Sequence, residues 1–151
     1  MRKLRNLTGM PVVCKRQKIG RLIQAELSAD LRTLEGIWVD CGLRGTRYIA
    51  ADHIGTIGEA AVITDQRGIR RRMSAKPLIC RAVSTDGRRL GAIVGAEIDE
   101  VSMMVSALEL SRGVWDDIYY GRTLITQYNA GENSSEAIVL DWQKNEKEEA
   151  F

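Results

Sequence analysis

The sequence predicts an all-β protein: two small β-barrels in tandem, followed by a short charged C-terminal tail. Three observations predict it. The chain matches itself at an offset of about 71 residues, with roughly eight identities over about fifty positions where chance gives about three. Its apolar residues fall in short runs, and the run Val105–Ser111 ends in the period-two alternation of a half-buried strand. Glycine and other turn residues recur every few positions, which leaves little room for helix.

The repeat pairs Leu7 with Leu78, Val12 with Val83, Gly20 with Gly91, Ala25 with Ala96, Glu26 with Glu97, Gly42 with Gly113, Tyr48 with Tyr119 and Ile54 with Ile125. It divides the chain into a first unit over 1–66, a basic linker over 67–76 and a second unit with its tail over 77–151. Units this small bury only about 60% of their unfolded surface, so the two are expected to lean on each other or on a second chain.

Each element follows from local chemistry. Leu7 to Val13 reads as a strand entered through Gly9 and Pro11, since proline cannot donate to a ladder and belongs at a strand start or edge. Lys15 to Lys18 is a polar tip, and Ile19 to Leu27 is the returning strand. In the second unit the tip holds Asp86-Gly87, a pair that tolerates positive φ. Lys15 and Arg16 stand at that place in the first unit, so the first tip must close by another geometry. Gly20 and Gly91 mark a bulge or bend just inside the returning strand. Leu34 to Asp40 and Val105 to Ser111 follow as strands. Alternation turns Ile37, Val39, Leu108 and Leu110 inward and Trp38 and Glu109 outward. Cys41 to Arg47 is a loop, Tyr48 to Ala51 a strand, and Asp52 to Gly58 a short helical turn or loop that Asp52 can cap. The closing strands are Glu59 to Thr64 and Ala137 to Leu140, the second delayed by about six extra residues placed in 130–136.

These residues resemble the PRC-barrel family, a small β-barrel of bacterial proteins. It is found in the cytoplasmic part of the photosynthetic reaction-centre H subunit, in the second domain of a ribosome-maturation factor and in proteins linked to spore formation. Leu7, Gly9 and Val12 match the family's opening, and Gly20-Arg21-Leu22 its glycine-basic-aliphatic step. Tyr48-Ile49-Ala50, Asp52-His53-Ile54, Ile57-Gly58 and Ala61-Val62-Ile63 match its later segments. The second unit keeps Asp86-Gly87 and Gly91-Ala92-Ile93, but has Cys80 for Gly9 and Thr123-Leu124-Ile125 for the Asp-x-Ile segment. The matched motifs are turn glycines and core aliphatics. The resemblance therefore implies a docking or scaffold role and carries no shared catalytic residues.

Composition bounds the function. The 151 residues are 44% hydrophobic and 28% charged with a net charge of +2, too small to announce a nucleic-acid binder. The basic residues cluster, however. Lys15, Arg16 and Lys18 at the first tip and Arg70, Arg71 and Arg72 in the linker are candidate phosphate contacts, against the plainer reading of solvated surface. No run of eighteen apolar residues occurs, so no membrane span is expected. The N-terminus lacks the apolar stretch of a secretory signal, and the cytoplasm is the expected location. Cys14, Cys41 and Cys80 show no metal or redox spacing and read as small buried hydrophobes. His53 stands alone beside Asp52 without a nucleophile, Asp116-Asp117 lacks calcium-loop spacing, and no phosphate-cradling glycine motif occurs. No enzyme, cofactor or metal is expected.

The residues left as candidate interface anchors are aromatic. Outward-facing Trp38 either anchors a contact or covers a loop of its own barrel. Trp115, Tyr119 and Tyr120 either pack a core or form an interface. The expected function is a non-enzymatic protein-docking or assembly module, with a homodimer among the partners considered. The rival is an RNA- or ribosome-associated factor using the basic tip and linker.

Overall fold

The structure, a computed structural model, describes residues 1–73, 80–133 and 137–142. The end of the expected linker and the charged tail lie outside the described residues, as does the side chain of Cys80. The fold is all-β; the described residues form one short α-helix and two sheets, one of them curled into a half-barrel.

The first sheet is built from β2 (Pro11–Cys14), β3 (Gln17–Leu27), β4 (Leu34–Asp40), β5 (Thr46–Ala50), β6 (Ile54–Ile57), β7 (Val62–Thr64) and β8 (Ile69–Arg70). Its order is β6-β7-β2-β3-β4-β5-β8, with β2 and β7 parallel. The second comprises β9 (Cys80–Ser84), β10 (Arg89–Ile98), β11 (Val105–Ser111), β12 (Thr123–Ile125), β13 (Asn129–Asn133) and β14 (Ala137–Asp141). Its order is β13-β14-β9-β10-β11-β12, the same path without a counterpart of β8, and the corresponding pair, β9 and β14, is again parallel. A seventh strand, β1 (Arg2–Lys3), leaves its own half and pairs with β10, Arg2 opposite Ile98.

The registers agree residue by residue. Leu22 faces Val39, Ala25 faces Ile37 and Leu27 faces Leu34; Ile93 faces Leu110, Ala96 faces Leu108 and Ile98 faces Val105. Both β3 and β10 slip register at the same two places, after Leu22 and Glu26 and after Ile93 and Glu97. Such bulges re-aim a strand and are built features of a sheet. Gly20 and Gly91 also act alike. A Cβ on Gly20 would lie 2.2 Å from the Asp40 carbonyl oxygen, and one on Gly91 2.3 Å from that of Ser111. Only glycine permits so close an approach of two backbones.

The gapless alignment breaks beyond β11. Val39 faces Arg47 and Leu110 faces Thr123, while Ile37 faces Ile49 and Leu108 faces Ile125. Ile49 therefore corresponds to Ile125, and the offset is 76 rather than 71. The pairs Tyr48–Tyr119 and Ile54–Ile125 do not hold. The inserted residues lie between β11 and β12, not in 130–136, and they form the helix α1 (Val114–Tyr120). The hairpin tips differ by one residue, so Val12 corresponds to Ala82 rather than Val83. The turn expected over 52–58 is a single 3-10 turn, Ala51–His53, running directly into β6 without a side-chain cap.

One core runs through both halves, from Leu7, Leu22, Ile37 and Ile49 to Ile93, Leu108, Leu110 and Ile125. Full burial of each such side chain contributes about 1.5–3 kcal/mol relative to exposure. The seam between the halves is reciprocal. Leu34 N–H donates to Met103 C=O at 2.8 Å, and Val105 N–H donates to Arg32 C=O at 2.8 Å. Leu34 corresponds to Val105 and Arg32 to Met103, so each half gives the other the same bond, as subunits do across a two-fold axis. Tyr128 departs from this symmetry. Its phenol donates to Leu31 C=O, while Arg32 donates to Tyr128 C=O at 2.6 Å and lies 5.5 Å over its ring.

Candidate docking surface

Trp38 is not on the surface. It is 2% exposed, because β4 is a central strand covered on both faces. Its indole N–H donates to Glu26 at 3.0 Å, and its ring lies 5.0 Å from Tyr48, tilted by 54°. Gly36 makes room for that phenol ring: a Cβ there would fall 2.3 Å from the Tyr48 oxygen. Alternation assigned the right face to Trp38. It could not say that the face is covered.

Glu109 holds the corresponding place in β11 and is likewise buried, at 3%. Three cations surround it: Arg122 at 3.2 Å, Lys3 at 3.7 Å and Arg5 at 3.8 Å. Lys3 and Arg5 arrive on the N-terminal segment that β1 ties to the second sheet. The outward reading of Glu109 is corrected for the same reason as that of Trp38.

Among the described residues, the exposed aromatics are on α1. Val114, Trp115, Ile118, Tyr119 and Tyr120 are each between 64% and 74% exposed. Val114, Ile118, Trp115 and Tyr119 share one face at helical i, i+4 spacing. Asp116 and Asp117 occupy the first turn, where carboxylates complement the positive end of the helix dipole. Asp117 holds the helix to the body, accepting from Ser111 at 2.7 Å and facing Arg122 at 3.7 Å. The helix thus turns a carboxylate inward and an apolar face outward, the reverse of a helix that stabilises its own domain. Trp115 and Tyr120 are placed together here, with Tyr119 6.5 Å from Tyr120. Core packing for these three is overturned. The i, i+4 spacing was the signal for the helix, but seven residues are too few for it to stand out.

The basic candidates form two groups. Lys15, Arg16 and Lys18 are exposed at the tip, where Lys15 and Arg16 both take left-handed backbone, φ 50° and 66°. Arg67 reaches this tip through a 2.9 Å bond to Gln17. Arg70, Arg71 and Arg72 are exposed at the edge strand β8 and just after it, where Arg70 pairs with Arg47 of β5. The Arg71 guanidinium lies 5.6 Å over the Tyr48 ring, so that charge is already stacked.

Other chemistry is modest. His53 Nδ1 lies 3.1 Å from Asp65. Cys14 is buried, and burial pushes the half-buried Cys41 thiol above its usual range, away from the reactive thiolate. Among the described residues, no group of three or more His, Cys, Asp or Glu is placed to hold a metal ion. Among the same residues, no helix is long and apolar enough to cross a membrane. No family model matches the chain, and no curated protein matches it.

Proposed function

We propose that the chain is a non-enzymatic protein-docking module and that α1 is where its partner binds. One observation carries this: α1 turns Val114, Trp115, Ile118 and Tyr119 to solvent while Asp117 holds it to the body. Large aromatics in a contiguous exposed patch are the usual anchors of a protein contact. The helix is also an addition to the repeat, since the first half closes the same connection with the short 3-10 turn Gly42–Arg44. None of its apolar side chains belongs to the core cluster, which leaves that face available for an external contact. The PRC-barrel resemblance, closed barrels in tandem and a cytoplasmic location belong to the same reading; the shared strand order supports a duplicated unit.

A second reading has its own observation. A turn through two left-handed residues favours Asn-Gly, yet the first tip uses Lys15-Arg16, at a cost of about 1–2 kcal/mol per residue. Strain of this kind is tolerated where it displays something, here two cations beside Arg67 and Lys18. That arrangement suits phosphate groups of RNA.

Affinity capture from the native cell, with wild type, Trp115→Ala/Ile118→Asp and Lys15→Ala/Arg16→Ala proteins, tests the choice. The docking reading expects a partner retained at about 0.5 M salt, where charge contacts are screened, and lost with the α1 changes. Capture that survives the α1 changes but disappears with the tip changes, with nuclease and with salt overturns it in favour of RNA.

A further inference from the structure

The two sheets end differently. In the first, the far edge of β5 is taken by β8, with Arg47 opposite Arg70 and Tyr48 opposite Ile69. In the second, β12 stands in the place of β5, and among the described residues no strand takes its far edge. The first sheet shows what that edge offers. Arg71 N–H donates to Thr46 C=O at 3.1 Å, so the backbone groups of Thr46 and, two residues on, of Tyr48 point toward β8. Their counterparts in the second half are Arg122 and Leu124. The N–H and C=O of Leu124 therefore point outward from the sheet, where a further strand can pair with them.

That edge runs into the docking helix. Gly45 ends the 3-10 turn before β5 and Gly121 ends α1 before β12, with like backbones, φ 81° and 73°. A Cβ on Gly45 would lie 3.4 Å from Arg70 Nε, so a side chain of the added strand rests on the end of that turn. A strand added to β12 in the same way rests a side chain on the end of α1. The chain's own end suits this edge poorly. In step with Gly68, Ile69 and Arg70 stand Lys144, Asn145 and Glu146. Gly68 takes φ 76° to bring the chain round from β7, and a Cβ on it would lie 2.4 Å from the Tyr48 carbonyl oxygen. Lysine is strained in such a conformation, and Asn and Glu are depleted in strands. A segment of another protein reaches the edge without that turn.

We infer that the partner docked on α1 is held through an extended segment that adds to β12 as an antiparallel strand. Its apolar residue lies opposite Leu124, as Ile69 lies opposite Tyr48, and its basic residue opposite Thr123, as Arg70 lies opposite Arg47. Thr123 is buried and uncharged, so the like-charge contact between Arg47 and Arg70 has no equivalent there. Main-chain pairing supplies affinity, and the exposed face of α1 supplies specificity. The inference rests on the docking reading of α1 and adds the form of the partner.

The test uses the full chain and a synthetic peptide with the sequence of residues 66–72, which carries the strand that fits the equivalent edge. In the chain alone, the Leu124 amide is expected to exchange at least about tenfold faster than that of Tyr48, which faces β8. Added peptide is expected to slow Leu124 at least about tenfold and to shift it, saturating with a dissociation constant of about 1 mM or below in about 0.5 M salt, where charge contacts are screened. The peptide N-methylated at its isoleucine cannot donate to Leu124 C=O and should not bind. Nor should the Leu124→Pro chain, which lacks the N–H at an edge position that tolerates proline. Leu124 exchanging as slowly as Tyr48 in the chain alone overturns the inference, since the chain's own end then holds the edge; slowing that appears only at high chain concentration overturns it in favour of a second copy. No saturation by the peptide, no shift at Leu124, or binding that survives the N-methyl group overturns it as well. The N-methyl control decides where the proline variant fails to fold. Cellular capture lost with Trp115→Ala/Ile118→Asp but unchanged in Leu124→Pro removes the added strand and leaves α1 as the docking site.

Discussion

The middle of the central strand's outer face is Trp38 in one half and Glu109 in the other. The strands around them pair in the same register, with bulges at the same steps. Trp38 is covered by Tyr48 and Glu26, and Glu109 by Lys3, Arg5 and Arg122. One backbone frame thus buries a large apolar ring in one copy and a carboxylate in the other. Burial there belongs to the frame. The chemistry that satisfies it belongs to each half, apolar and local in the first, ionic and drawn from the distant N-terminal segment in the second.

Trp38→Ala separates the two cases most strongly. It empties a ring-sized space under Tyr48 and leaves Glu26 without its indole partner, so unfolding in urea should show a loss of about 3–5 kcal/mol. Because the lost term is mainly apolar contact, the loss should be nearly the same at low and high salt. A strongly salt-dependent loss would mean that the Glu26 and Arg71 charges, rather than packing, dominate this face.

Glu109→Gln should cost less and behave differently. The amide keeps the shape of the side chain but gives up the charge that gathers Lys3, Arg5 and Arg122. Those cations are 39–58% exposed, so water screens much of the attraction, and a loss of about 1–2 kcal/mol is expected. Added salt should narrow the gap between variant and wild type, since ions weaken the wild-type cluster only. The β1–β10 pairing should loosen in parallel, seen as faster amide exchange in residues 2–6. A gap that salt leaves unchanged would show that Glu109 acts through its hydrogen bond to Arg122 alone.

The chain is legible in sequence as far as its two halves run without a gap. The β3–β4 and β10–β11 pairs were readable because their glycines and alanines recur without a gap, and because Gly20 and Gly91 are demanded by the same backbone approach. Beyond β11 the inserted residues shift the second half, and a gapless alignment no longer matches equivalent positions. Tyr119 fell on Tyr48 by coincidence, which hid a helix under an expected strand. Trp38 and Glu109 were misplaced because alternation sorts residues into two faces without saying what covers either. The crossing of the N-terminal segment to the other sheet rests on a two-residue strand, too short to leave a pattern. The Lys15-Arg16 turn was marked only as differing from its partner, since neither residue signals left-handed backbone.

Tyr128 extends the comparison to the seam. Ile49 matches Ile125, so Tyr128 stands where the first half has Asp52, which is exposed, whereas Tyr128 is 7% exposed. Burial raises its phenol from the usual 10 to about 12, partly opposed by the Arg32 charge. The sign follows from linkage. The unfolded phenol loses its proton near pH 10, the folded one keeps it until about pH 12, and so the stability tied to the protonated form is complete below pH 10 and lost as pH rises toward 12. Tyr128→Phe removes the donor to Leu31 and should cost about 1 kcal/mol at pH 7, the smallest effect of the three. Between pH 10 and 12 the wild type should lose stability faster than the variant, until the gap closes or reverses. Tyr48 is raised by burial as well, but it is common to both proteins and cancels in the difference. Denaturation midpoints that stay parallel across that window would place the Tyr128 hydroxyl in water, and the two sides of the seam would then be alike in chemistry as well as in backbone.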